Sequence, residues 1–194
     1  MKKSIRVYFL PVLLATCFLS ACVPVALVAA GAVAGGALIY DRRDVKTMTK
    51  DRDMSSTLLK QINDDAELRT QTHITIASFN NVLLVAGQAS TPALRDRIFQ
   101  MANSTPNLKR VYNEVSIEPP TSTSVQTSDY WITTKVKSKM LAEKGLTSSQ
   151  IKVVTENKVV YLMGVVTHKQ ADLAADVASS VSGVTKVVRI FEYE

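Results

Sequence analysis

Chemically reactive side chains are scarce in this chain. Its 194 residues hold two cysteines, Cys17 and Cys22, and no CxxC pair, so a thiol redox centre and a cysteine-built zinc site are excluded. Histidine also occurs twice, at His73 and His168. His73 begins an apolar-alternating stretch and His168 opens a helical one; the positions do not match, and both read as structural or solvated. Seven glycines are too few and too scattered for a phosphate-cradling loop. Serines such as Ser179 and Ser180 lack a GxSxG elbow. Asp64, Asp65 and Glu67 form an acidic patch without the Gly-centred spacing of a calcium loop. The expectation is a protein with no catalytic residue, no metal and no cofactor.

What is present begins at the N-terminus. Lys2, Lys3 and Arg6 precede an apolar run over 7–19, and Leu19-Ser20-Ala21-Cys22 follows. Basic, apolar, then small residues is the order of a secretory signal, and a Cys straight after the small residues resembles a bacterial lipobox. Residues 1–21 are therefore expected to leave, Cys17 with them, and Cys22 to carry lipid, which anchors the chain through several buried acyl chains. No thiol then remains for a disulfide. Loss of Lys2, Lys3 and Arg6 lowers the formal charge from +6 to +3, too little to require a nucleic-acid partner. Val23 stands where an Asp would favour the inner membrane, which resembles an outer-membrane address facing the periplasm. Residues 23–39 are apolar and small. Gly31 and Gly35 have the GxxxG spacing of close-packed membrane helices, but Pro24 and three glycines favour a tether at the lipid surface over a spanning helix. Residues 41–53 are charged, lack apolar periodicity and read as an extended lead-in. The lipidated N-terminus and tether thus cover 22–53.

The remainder repeats itself. Residues 74–87 and 151–164 share one pattern: alternation, an Asn-containing turn (Asn80-Asn81; Asn157-Lys158), an apolar run, then Gly87 or Gly164. This predicts a β-hairpin in each copy. Upstream, Met54, Leu58 and Ile62, and likewise Ile132, Val136 and Met140, form helical stripes. Downstream, helices are predicted over 92–101, with Pro92 in the first turn, and over 169–181. Asn107 and Gly183 suit the left-handed positions that end helices. Final strands follow at 109–117 and 185–193. Leu83, Val85, Val160 and Leu162 are expected in the cores, with Leu94, Ile98, Leu173 and Val177 on the covering helices. The fold class is α+β: two units, 54–118 and 129–194, each αββαβ with helices on one face of a three-stranded mixed sheet and the other face more polar. Pro119 to Ser128 reads as a linker by composition.

This αββαβ unit, with a Gly ending its second strand and a Val-rich closing strand, resembles the BON domain. Two in tandem behind a lipobox resemble the dual-BON outer-membrane lipoproteins. The likeness is most specific over residues 129–137 and at Thr155-Glu156-Asn157 and Leu162-Met163-Gly164, and departs at Asn107-Leu108, where Gly-Val is usual. It implies a non-enzymatic protein that binds anionic phospholipid (phosphatidylglycerol, cardiolipin) through the first helix of its second unit, gathers at the division septum and supports outer-membrane integrity. The residues concerned would be Tyr130, Trp131, Ile132, Thr134, Lys135, Lys137, Ser138, Lys139 and Leu141.

The residues themselves bear on this. At about 100° per residue, the only tryptophan, Trp131, falls far round the helix from the inward stripe. Lys135 and Ser138 share its side, Thr134 and Leu141 flank it, and Lys137 and Lys139 stand at the edges of the stripe. An indole among ammonium groups has the chemistry of an interfacial anchor. Trp131 buried against the other unit, just after an N-cap at Ser128 or Asp129, is the competing reading. So is an adaptor that engages a β-barrel assembly machine, with Trp131 as hot spot. A third is a structural spacer.

Overall fold

A computed structural model describes residues 45–194, all of which belong to one unit of the chain. The expected signal segment, Cys22, Val23 and the tether to residue 44 lie outside the described residues. Among the described residues no helix is long and apolar enough to cross a membrane.

The unit contains two copies of one motif. In the first, α1 (Val45–Asp64) and a short α2 (Ala66–Gln71) precede β1 (Thr72–Phe79), β2 (Val82–Ala89), α3 (Pro92–Asn103) and β3 (Arg110–Ile117). In the second, α4 (Thr123–Ala142) and a 3-10 turn (Ser148–Gln150) precede β4 (Ile151–Glu156), β5 (Val159–Val166), α5 (His168–Ser179) and β6 (Lys186–Tyr193). The strand orders are β1-β2-β3 and β4-β5-β6. Each hairpin is antiparallel, and each last strand runs parallel to the central one, so the sheets are mixed. Registers repeat as well: Ile74 pairs with Gly87, and Ile151 with Gly164.

Local chemistry explains the elements. Both hairpin turns hold two successive residues at positive φ (Asn80 and Asn81; Asn157 and Lys158), the pattern of a type I′ turn matched to strand twist. Thr91 and Thr167 cap α3 and α5 by accepting the N–H of Leu94 and Gln170. Asn107 and Gly183 are left-handed, though each helix has already ended several residues earlier. Gly87 and Gly164 are required by close approach. A Cβ would stand 2.0 Å from the His73 carbonyl oxygen at Gly87 and 2.6 Å from that of Gln150 at Gly164.

The helices bury the expected stripes: Met54, Leu58 and Ile62 against Leu83, Val85, Leu94 and Ile98, and Ile132, Val136 and Met140 against Val160 and Leu162. Leu173 is only half-buried, and Ala171, Ala174 and Ala178 fill the space on α5 instead. Small side chains let that helix lie close to its sheet.

Four expectations are corrected. Residues 45–53 are the start of α1, not a lead-in, because Asp51 ties this turn of helix to the β1–β2 hairpin. Residues 123–128 are helical, so only five residues separate β3 from α4, and the cap is Ser122, not Ser128 or Asp129. A short α2, capped by the Asp65 carboxylate on the N–H of Glu67 and Leu68, was not foreseen. Finally, the second face of each sheet is not polar. Ala77, Phe79, Val82, Leu84 and Ala86 of the first sheet pack against Tyr161, Met163 and Ile190 of the second. The two sheets are joined face to face, and β2 is buried along its whole length.

A polar cluster sits within this seam. Glu156, 5% exposed, accepts from Thr75 Oγ1 (2.7 Å) and Gln88 Nε2 (3.1 Å), with His73 Nε2 3.6 Å away. Lys152 Nζ donates to the Ser78 carbonyl across the repeats (3.1 Å). Burial pushes the Tyr161 phenol up from its ordinary value, with Glu114 and Glu156 adding to the effect.

Candidate functional site

One face of α4 decides where the expected surface residues go. Ile132, Val136 and Met140 point into the second core, and this directs Tyr130, Trp131, Thr134, Lys135, Ser138 and Leu141 outward. Trp131 is 57% exposed, Tyr130 67% and Leu141 66%. The two aromatic rings meet edge to face with centroids 6.0 Å apart. Ten residues at about 1.5 Å each put Leu141 roughly 15 Å along the helix from Trp131. The exposed face is therefore a stripe with apolar ends, hydroxyls from Thr134 and Ser138 between, and Lys135 and Lys137 beside it. Thr134 Oγ1 is turned back onto the Tyr130 carbonyl, to which it donates (3.0 Å). Lys135 and Lys137 form no ion pair among the described residues, so their charge is available to an outside partner.

Two of the expected site residues do not belong to that face. Ile132 is 3% exposed; its position in the core stripe and its packing beneath Gly183 hold it inward. Lys139 is exposed, but its ammonium donates to the carbonyl and hydroxyl of Ser180, both at 3.2 Å. There it neutralises the C-terminal end of α5 and ties α4 to it. The reading of Trp131 as a residue sealed between the repeats fails on its exposure.

Asp129 proves to be the residue that holds α4 in place. It is 5% exposed within the helix, and its two carboxylate oxygens accept the N–H groups of Asn157 (2.7 Å) and Lys158 (2.8 Å). Asp51 does the same in the first repeat, accepting from Asn80 (2.7 Å) and Asn81 (2.9 Å). Each carboxylate clamps the positive-φ turn to the helix above it. The signal was present: an Asp lies three residues before Met54 and before Ile132, the first residue of each stripe. Thr133 to Thr155 (2.7 Å) is a second tie from α4 to β4.

His168 stacks on Tyr193 with centroids 3.9 Å apart and rings inclined at 15°, and His73 faces Glu156; each is engaged structurally. Asp65 and Glu67 pair with Arg97, the latter at 3.3 Å. Among the described residues no group of His, Cys, Asp and Glu is placed to hold a metal ion.

A pair of αββαβ repeats, each with a helix clamped over its hairpin turn, defines the class, and comparison with known families agrees. The BON domain family matches residues 50–119 and again 128–194, and the chain belongs to it. Over 179 residues it is 35% identical to the outer membrane lipoprotein DolP of Haemophilus influenzae, covering 92% of each chain. It is 32% identical over 153 residues to a 21 kDa hemolysin of Actinobacillus pleuropneumoniae, covering 79% of each. Two BON repeats and near full-length likeness make this a BON lipoprotein of the DolP type, an outer-membrane class. Among solved structures, the C-terminal domain of CdsD, from the type III secretion system of Chlamydia trachomatis, aligns with 74% of this chain and 67% of its own. Its TM-score is 0.30 at 13% identity, which carries no argument.

Proposed function

We propose that this protein, held by lipid at the periplasmic face of the outer membrane, reads anionic phospholipid through the exposed face of α4 and so supports envelope integrity, with enrichment at the division septum. Its role is non-catalytic. The observation that carries this is the solvent exposure of Trp131 and Tyr130 at one end of a helix face and of Leu141 at the other, beside Lys135 and Lys137. Indole and phenol rings are stable at headgroup depth, where the ring is shielded and the polar edge stays wet. Each lysine near a negatively charged bilayer adds about 1 kcal/mol. The bilayer partner is phosphatidylglycerol or cardiolipin rather than a zwitterionic lipid, because the face offers cations without paired carboxylates.

The test uses a soluble fragment covering residues 41–194 and protein-free vesicles. Binding to phosphatidylglycerol vesicles is expected, with little to phosphatidylcholine. Trp131→Glu should reduce it by tenfold or more with unchanged unfolding behaviour, the scale of losing about 1.4 kcal/mol. Reversing Lys135 and Lys137 to Glu should weaken binding and flatten its salt dependence. Wild-type vesicle affinity in the Trp131→Glu variant refutes the assignment. A second reading has its own support, since an exposed edge-to-face Tyr–Trp pair is also the composition of a protein hot spot. No binding to protein-free vesicles would favour that adaptor role, with the β-barrel assembly machinery as the partner to examine.

A further inference from the structure

The turn that follows α4 is held in place and left uncovered. α4 closes at Glu143, and Gly145, at φ +85°, reverses the chain toward the 3-10 turn. The Gln170 side-chain amide donates to the Gly145 carbonyl, its oxygen accepts the Thr147 N–H (2.7 Å), and Leu146 packs against the second core. The outer side is open, since a Cβ at Gly145 would meet nothing within 4 Å. Lys144 is exposed there and forms no ion pair among the described residues. The half-buried Glu143 is the carboxylate of the same turn. Around the axis of α4, Trp131 and Leu141 stand about 80° apart, with Thr134 and Ser138 along the line between them. Lys135 and Lys137 lie on opposite flanks, each about 80° from that line. A ridge with a cation on either side is the form of a helix lying in the plane of an interface, where lysine stems follow the apolar surface and their ammonium groups reach the phosphates. The turn extends this ridge past the end of α4 and sets a third cation, Lys144, beyond Leu141.

We propose that this turn is a second lipid contact, in which Lys144 binds the phosphate of an anionic phospholipid while Leu141 enters the acyl boundary beside it. The inference rests on the reading of α4 as a phospholipid face. It adds that α4 lies along the bilayer and does not stand on its aromatic end. Contacts about 15 Å apart along the helix do not share one headgroup, so the two ends hold separate lipids, and each raises the effective concentration of bilayer at the other.

The 41–194 fragment, which holds every described residue, contains no cysteine, so a single one can be introduced for labelling. An environment-sensitive dye would be attached at Leu141→Cys and, as a control on the first repeat, at the exposed Gln100→Cys. Both would be mixed with phosphatidylglycerol vesicles with and without a nitroxide-bearing lipid, and Trp131 fluorescence would be followed in the unlabelled fragment. The dye at 141 should shift to the blue and be quenched, as Trp131 is, while the dye at 100 stays silent. Lys144→Gln should weaken vesicle binding about fivefold, the share of one lysine at an anionic surface, and Lys144→Glu should weaken it further, with the unfolding midpoint unchanged. Quenching of Trp131 with a silent dye at 141, or wild-type affinity in Lys144→Glu, overturns the proposal and leaves the phospholipid reading to the aromatic end alone. Silence at both Trp131 and 141 removes that reading and the proposal together.

Discussion

Asp129 offers the sharpest quantitative test, because one carboxylate is asked to hold a helix and a turn together. In Asp129→Ala both charge-assisted bonds vanish, and the N–H groups of Asn157 and Lys158 lose their partners at 2.7 and 2.8 Å. A hydrogen bond to a charged group contributes about 1.5–3 kcal/mol net. Asn157 and Lys158 are exposed, so water takes up part of the demand, and the two losses do not add fully. The expected cost is about 2–4 kcal/mol. At a urea m-value near 2 kcal/mol/M this lowers the midpoint by about 1–2 M. Asp129→Asn, which keeps one acceptor oxygen, should fall between. Urea unfolding of the 41–194 fragment, followed by circular dichroism and by Trp131 fluorescence, measures all three proteins. A cost below about 0.5 kcal/mol for the alanine variant would refute the clamp. The same result should hold for Asp51→Ala in the first repeat if duplication has preserved the device.

Two further outcomes follow from close packing and burial. Gly87→Ala should unfold the first repeat or cost more than about 3 kcal/mol, because φ is +131° and the new methyl group would meet the His73 carbonyl. Gly164→Ala, without the positive φ and with a longer approach, should be milder, and reversal of that order by thermal unfolding would contradict the register described. For Tyr161, burial raises the phenol's pKa in the folded state, so the folded protein holds the neutral form while the unfolded chain ionises near pH 10. Stability from this group is complete below about pH 10 and declines as pH rises above it, by up to about 1.4 kcal/mol per pH unit. Tyr161→Phe should lose visibly less stability than wild type between pH 9 and 11; parallel decline in both would show that the phenol is not the cause.

Much of the fold was legible because duplication supplies every signal twice. The stripes of α1 and α4, the hairpin turns at Asn80 and Asn157, and the two glycines, which lie two residues before the ends of β2 and β5, all carry local chemistry that a single chain displays. The seam between sheets was missed for a physical reason. Val82 to Ala86 and Val159 to Val166 are unbroken apolar runs, the mark of a strand covered on both faces, whereas alternation marks one wet face. Reading them as one-sided left Leu84, Tyr161 and Met163 without a destination. On α4 the helical angle alone separated Trp131 and Leu141 from Val136 and Met140. Ile132 was drawn in by resemblance against its own periodicity, and the periodicity was right. Asp51 was overlooked, and Asp129 was read as a candidate N-cap, because their partners are backbone N–H groups about thirty residues away, a contact that no residue pattern spells out.

The sheet-to-sheet seam has a practical consequence for dissecting this protein. Removing either half by truncation does not simply subtract an activity; it uncovers an oily β-surface on the half that remains. Such a fragment will seek another cover, through self-association or aggregation, and a cell carrying it would report on that surplus rather than on the missing half. Point changes on the outer surfaces, which leave the shared face closed, are the cleaner instrument.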